Sequence, residues 1–216
     1  MNVKSICALA PVIPVLTIDD SARAAPLAEA LLRGGLRALE VTLRTPAALD
    51  SIGAMARMEP DIIVGAGTLL TPEDVRAASA AGARFGVSPG FTDSLLDAAE
   101  DAGLPMLPGV ATPGEAMRAL ERGLDVLKFY PAGPNGGPSL LAAWAAPLPQ
   151  IRFCPTGGIN AENAASYLAI PNVICVGGSW VAPRNAVEAG DWTRIEELAR
   201  AAATLGSKPK TSHDAE

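Results

Sequence analysis

Lys128 stands in Leu127-Lys128-Phe129-Tyr130-Pro131 and Glu40 in Ala38-Leu39-Glu40-Val41-Thr42-Leu43, a cation and a carboxylate each hemmed by apolar neighbours. Charges are costly to bury, so residues of these types inside runs that read as buried strands either pair with one another or do chemistry. A lysine desolvated in an apolar pocket loses its proton more easily, and the free amine is a nucleophile towards carbonyls. A nearby carboxylate, directly or through a water, can then move protons at the adjacent carbon. Schiff-base chemistry is the natural use of the pair, and a structural ion pair is the alternative. The only histidine, His213, lies in the polar C-terminal stretch. No histidine triad, metal ligand or general base is therefore expected in the folded body, and acid–base work falls to carboxylates, lysine, tyrosine or water.

Side chains alternate along a strand, which puts Glu40, Thr42 and Arg44 on one face, Val64, Ala66 and Thr68 on another, and Lys128 with Val126 and Tyr130 on a third. The planar fork of Arg44 suits a substrate carboxylate, with a rim salt bridge as the alternative. Thr68, after Gly65-Ala66-Gly67, offers the same carboxylate a hydroxyl, or else caps the helix near Thr71. Thr156-Gly157-Gly158 and Gly177-Gly178-Ser179 follow two successive strands, where loop amides and a helix N-terminus bind phosphate in many barrels; tight turns are the plainer reading. Such a site needs no basic side chain. Arg152 and Arg184 read as surface residues, and Trp180 as packing or a pocket wall.

Positioning these residues requires a repeating scaffold, and the chain supplies one. Strands centred on Val12–Leu16, Ala38–Leu43, Ile62–Thr68, Phe85–Ser88, Pro105–Pro108, Val126–Tyr130, Ile151–Cys154 and Val173–Val176 recur about every two dozen residues, near the minimum for a βαβ crossover. Asp19, Asp20 and Ser21 offer caps for the helix after the first strand, and Thr45-Pro46, Thr71-Pro72 and Thr112-Pro113 repeat one helix-start signal. Helices are also expected from Thr92, around Leu140–Trp144, near Ala161–Leu168 and over about 191–204, with a short one over residues 3–9. Eight strand–helix units argue for an α/β fold, a compact (β/α)8 TIM barrel with a short N-terminal helix; an open doubly wound sheet is the alternative. Residues 1–205 read as one domain and 206–216 as a disordered polar tail.

The 216 residues are 49% hydrophobic but only 4% aromatic, a composition that suits small-residue helices packed on a parallel sheet. The net charge of -6 comes with no basic cluster, so neither nucleic acid nor an anionic membrane surface is an expected partner. No apolar run reaches membrane-spanning length and the N-terminus lacks a signal-length apolar core, so a cytoplasmic protein is expected. Cys7, Cys154 and Cys175 are far apart, odd in number and without a Cys-x-x-Cys pair, which reads as buried reduced thiols.

From about Pro11 to Ala203 the chain resembles the 2-keto-3-deoxy-6-phosphogluconate (KDPG) and 4-hydroxy-2-oxoglutarate (KHG) aldolases. The resemblance rests on Leu39-Glu40-Val41-Thr42-Leu43-Arg44-Thr45, Val64-Gly65-Ala66-Gly67-Thr68, Val87-Ser88-Pro89-Gly90, Lys128-Phe129-Tyr130-Pro131-Ala132, Arg152-Phe153-Cys154-Pro155-Thr156-Gly157-Gly158-Ile159 and Gly177-Gly178-Ser179-Trp180, all in the same order. It implies a class I aldolase with no metal or other cofactor, a homotrimer working in the Entner–Doudoroff pathway on a phosphorylated 2-keto sugar acid and pyruvate. By resemblance Lys128 is the Schiff-base lysine, Glu40 the general acid/base, Arg44 and Thr68 the carboxylate binders, and Gly157, Gly158, Gly178 and Ser179 the phosphate cradle with Thr156 beside it. Tyr130 stands where phenylalanine is expected more often. The competing expectations are an aldolase for the galactonate-derived epimer, a phosphosugar isomerase or cyclase on the same barrel, and a non-catalytic anion-binding barrel.

Overall fold

The structure, a computed structural model, describes residues 1–58 and 61–206. Apart from Gly206, the expected tail lies outside the described residues. The helix starts follow from local side-chain chemistry. Thr71 Oγ1 accepts from the Asp74 N–H at 3.1 Å while the Asp74 carboxylate accepts from the Thr71 N–H at 2.9 Å, and Pro72 fills the first turn. Thr112 and Glu115 repeat this reciprocal cap around Pro113. Each cap satisfies N–H groups that the helix itself leaves unpaired, worth about 1 kcal/mol apiece.

In chain order the elements are α1 (Val3–Cys7), β1 (Val12–Leu16), α2 (Ala24–Arg33), β2 (Ala38–Thr42), α3 (Ala48–Ala56), β3 (Ile63–Gly67), α4 (Pro72–Ala80), β4 (Gly86–Val87), α5 (Asp93–Asp101), β5 (Met106–Leu107), β6 (Gly109–Val110), α6 (Pro113–Glu121), β7 (Val126–Phe129), α7 (Gly137–Trp144), β8 (Arg152–Pro155), α8 (Ala164–Leu168), β9 (Val176–Gly178), α9 (Arg184–Ala189) and α10 (Trp192–Ala203). All strand pairs are parallel. Six strands lie in the order β5-β4-β3-β2-β1-β9, and three in the order β6-β7-β8. The architecture is α/β, with a parallel sheet curled into a half-barrel.

The structure departs from the sequence expectations in several places. The expected strand over Pro105–Pro108 is divided into β5 and β6 at Pro108, which has no N–H to give a ladder but whose carbonyl accepts from the Lys128 N–H at 2.9 Å. The last strand starts only at Val176, and Val173 makes a single bridge to Phe153. A 3-10 turn at Ser21–Arg23 and the short α9 were not foreseen. Helix α7 begins at Gly137, ahead of the expected start near Leu140, because Pro138 sits in its first turn, where its missing N–H costs nothing.

Two apolar layers flank the strands. Outside, Leu39, Val41, Val64, Ala66, Leu127 and Phe129 face the helices. Phe129 meets Trp144 of α7 edge-on at 5.3 Å and Phe153 of β8 at 6.5 Å. Such aromatic contacts add about 0.5–1.5 kcal/mol beyond their buried area. They fix the outward face of β7 and so turn Lys128 inward. On the inner side, Ile6 and Cys7 of α1 pack with Ile13, Ala38, Ile63, Phe85, Val87, Leu107, Val126, Cys154 and Cys175. The three thiols, far apart in sequence, thus share one buried cluster. The neighbouring sulfurs, Cys154 first and Cys7 next, and then burial push the Cys175 thiol well above its ordinary range. Among the described residues, no helix is long and apolar enough to cross a membrane.

Candidate active site

Register decides what the inner face presents. Glu40 is the ladder partner of Val15 on β1 and of Gly65 on β3, and Lys128 is the partner of Gly109 on β6 and Cys154 on β8. The strands carry these two residues to each other across 88 positions of sequence: Lys128 Nζ donates to Glu40 Oε1 at 3.3 Å. Their side chains are only 5% and 4% exposed. Of the two charges, neither could be buried alone without a large desolvation cost, so each is the condition for the other. Glycine makes the room. A Cβ on Gly67 would overlap the Glu40 carboxylate, and one on Gly65 would overlap the Phe85 ring.

Arg44 and Thr68 meet just past the ends of β2 and β3, where Arg44 Nε donates to Thr68 Oγ1 at 3.0 Å. Among the described residues Arg44 pairs with no carboxylate, so the rim salt bridge does not form and the guanidinium keeps donors to offer. Thr68 is not a helix cap, because Thr71 holds that position. Strict alternation would leave Thr68 on the helix-facing side with Val64 and Ala66. Instead it has φ 61°, the only positive φ at a non-glycine residue among those described, and this breaks the alternation and turns its hydroxyl to Arg44. A β-branched residue in the left-handed region is strained by about 1–3 kcal/mol, and such strain gathers at functional sites.

The two glycine turns lie side by side. Thr156 bridges Gly177, and a Cβ on Gly177 would overlap the Thr156 hydroxyl. Gly157 and Gly158 have φ 97° and 77°, a consecutive left-handed pair that only glycine adopts freely. Among the described residues, the N–H groups of Gly157, Gly158 and Ser179 donate to no backbone carbonyl. The loop after β7 is zipped to the first turn, with Ala132 N–H donating to Thr156 O at 2.8 Å and Gly133 N–H to Gly157 O at 2.9 Å. The expected helix N-terminus is not there: α8 starts at Ala164 and α9 at Arg184, each several residues past its glycines. What these turns present to the cavity is therefore loop amides rather than a helix N-terminus.

A cavity of about 250 Å³ opens between these parts, lined by Val15, Thr17, Arg44, Tyr130, Thr156, Gly157, Gly158, Ile159, Gly177, Gly178 and Ser179. Lys128 and Glu40 lie outside this lining, but the Tyr130 ring on its wall is 5.2 Å from Lys128 Nζ. Every residue singled out for chemistry is thus lining the cavity or one contact from it. The exceptions are those read as surface or wall. Arg184 pairs with Asp19 at 3.0 Å and Glu188 at 2.8 Å, Arg152 bonds to Pro149 and Ile151 carbonyls, and the Trp180 ring fills the space beside Gly178. Val15, Thr17 and Ile159 were missed. An apolar residue or a lone threonine at a strand end carries no sequence signal until β1 is known to lie between β2 and β9. Among the described residues, no group of three or more His, Cys, Asp or Glu is arranged to hold a metal ion. Chemically, the cavity offers a guanidinium on one side and free N–H groups on the other, with an amine and a carboxylate paired just beyond its lining.

Comparison with known proteins gives a consistent picture. Residues 3–198 match the aldolase family described as KDPG and KHG aldolase. The chain is 48% identical over 201 residues to the KHG/KDPG aldolase of Escherichia coli K12, covering 93% of this chain and 94% of that one. It superposes with a TM-score of 0.90, at 46% identity, on the KDPG aldolase of Legionella pneumophila, solved with pyruvate captured as a covalent carbinolamine intermediate; 93% of this chain and 97% of that one are covered. The Zymomonas mobilis ZM4 enzyme, solved with 3-phosphoglycerate, gives a TM-score of 0.88 at 47% identity, with 93% and 94% covered.

Proposed function

This chain belongs to the KDPG and KHG aldolase family, and from that premise we propose that it is a class I Schiff-base aldolase of the Entner–Doudoroff pathway. It cleaves 2-keto-3-deoxy-6-phosphogluconate to pyruvate and glyceraldehyde 3-phosphate, and also 4-hydroxy-2-oxoglutarate to pyruvate and glyoxylate. The observation that carries this reading is the buried Lys128–Glu40 pair at 3.3 Å beside a cavity with a guanidinium at one side and free backbone N–H groups at the other.

Lys128 passes its proton to Glu40, its partner at 3.3 Å, and the free amine attacks the C2 ketone; Glu40 returns the proton to the leaving hydroxyl, and loss of water leaves a protonated imine. That cation is an electron sink, so the C3–C4 bond breaks as Glu40, directly or through water, takes the C4 hydroxyl proton. Protonation of the enamine at C3 and hydrolysis of the imine then release pyruvate. Arg44 and Thr68 hold the carboxylate next to the reacting ketone. Thr156, Gly157, Gly158, Gly178 and Ser179 hold the phosphate, whose binding energy is remote from the broken bond and orients the chain for it. No step calls on a metal.

The same reading covers the scaffold and the assembly. The strands form a closed (β/α)8 barrel, supported by the single residue that separates β5 from β6 and by the Thr156–Gly177 bridge between β8 and β9. The homotrimer belongs to it through the family resemblance. Incubation with pyruvate and borohydride tests the chemistry: peptide mass spectrometry finds a reduced adduct on Lys128, together with loss of activity. An unmodified, fully active protein after that treatment overturns the Schiff-base reading.

A further inference from the structure

We propose that the Tyr130 hydroxyl is a specificity-determining contact that reads the C5 hydroxyl of the six-carbon substrate. The inference rests on the proposed aldolase reading and deepens it. Under that reading the carboxylate, the C2 ketone, the C4 hydroxyl and the phosphate all have partners, and the C5 hydroxyl alone has none. The cavity wall has a matching surplus. Thr42 donates its one hydroxyl proton to Leu16 O at 3.0 Å, so in the Thr17–Thr42 contact at 3.2 Å it is Thr17 that donates. Thr156 Oγ1 turns to Cys154 O at 3.5 Å. Among the described residues, the Tyr130 hydroxyl makes no hydrogen bond, and Ser179 is already assigned to the phosphate.

Its position fits the gap. Tyr130 follows β7 on the inner face shared with Lys128, and its ring centroid lies 5.2 Å from Lys128 Nζ. The far edge of the ring leans on the glycine turn, where a Cβ on Gly157 would sit 3.3 Å from Tyr130 Cε2. The side chain therefore spans from the amine that holds C2 to the turn that holds the phosphate on C6, the interval occupied by C4 and C5. Because C4 belongs to Glu40, C5 is left for the phenol. A phenolic O–H is a donor and acceptor at once and suits an alcohol, and a hydroxyl missing from either side leaves the other unpaired in a half-buried site.

The test runs the reaction as a condensation of pyruvate with two acceptors, glyceraldehyde 3-phosphate and 3-oxopropyl phosphate, which lacks only the hydroxyl that becomes the one on C5. The wild-type protein favours the hydroxylated acceptor in kcat/KM by roughly tenfold, the worth of one neutral hydrogen bond. Tyr130→Phe, which keeps the ring, removes most of that preference. A wild-type protein indifferent to the two acceptors overturns the proposal without any variant, and so does a folded Tyr130→Phe protein that keeps the full preference. Failure of the wild-type protein to form the pyruvate adduct on Lys128 is a different result, and it removes the aldolase reading and this inference together.

Discussion

The two ends of the inner strand face share one backbone pattern and hold opposite chemistry. Towards the N-terminal ends of the strands, Ile6 and Cys7 of α1 close the interior against Ile13, Ala38, Val126 and the thiols of Cys154 and Cys175. Towards the C-terminal ends lie Lys128 and Glu40, then Arg44, Thr68 and the glycine turns. The boundary is sharp, since Lys128 and Cys154 are direct ladder partners. The thiols need no strong partner because S–H is a weak donor and sulfur a weak acceptor, so that end can be shut. Charges can be buried at the other end only where each has its counter-charge and the cavity begins. Burial therefore does not select residue type here; the available partner does.

Breaking the polar end has the largest expected effect. Glu40→Gln keeps the shape but not the proton acceptor, and turnover falls by about 10²–10⁴ while the pyruvate adduct on Lys128 still forms. Loss of the adduct in a normally folded variant would show that Glu40 also serves the imine step. Breaking the sealed end moves stability instead. Ile6→Ala lowers the free energy of unfolding by about 2–4 kcal/mol in denaturant titration, and kcat of the folded protein stays within about twofold. A fall in kcat comparable to that of Glu40→Gln would mean the two ends are not independent.

The smallest effect is a pH slope. The raised Cys175 thiol stays protonated in the folded chain while the unfolded chain ionises, so the folded state binds more protons and stability declines as pH rises from the ordinary thiol range towards the raised value. Below that range both states are protonated and the term vanishes. One thiol contributes at most about 1.4 kcal/mol per pH unit in this window. Cys175→Ala flattens the decline in thermal unfolding series at alkaline pH; an unchanged slope assigns it to other groups.

The polar end was legible in the sequence because its residues are out of place there. Lys128 between Leu127 and Phe129, Glu40 between Leu39 and Val41, and paired glycines after successive strands each contradict a local pattern, and the structure brings them together. The Thr-Pro helix starts at Thr71 and Thr112 were equally readable, because a cap is decided within four residues. The sealed end was not. Cys7, Cys154 and Cys175 are ordinary apolar-run residues whose proximity depends on strand register and the docking of α1, which no local rule encodes. Thr68 is an intermediate case: its type and position suggested a role, but alternation pointed it the wrong way and only its left-handed backbone corrects that.

The paired glycine turns have a further consequence for how this protein can be altered. In the proposed phosphate site the glycine amides have no side chain to delete, so a scan that replaces Gly157, Gly158, Gly177 or Gly178 with alanine adds atoms there instead of removing them. At Gly177 and Gly178 the added methyl would collide with Thr156 and Trp180, and at Gly157 and Gly158 it would oppose φ values of 97° and 77°. Such a scan reports crowding and strain rather than lost contacts. Only replacement of the amide itself, as by an ester linkage, takes away a single donor, and so the glycine part of the proposed phosphate site is open to backbone chemistry and closed to ordinary mutagenesis.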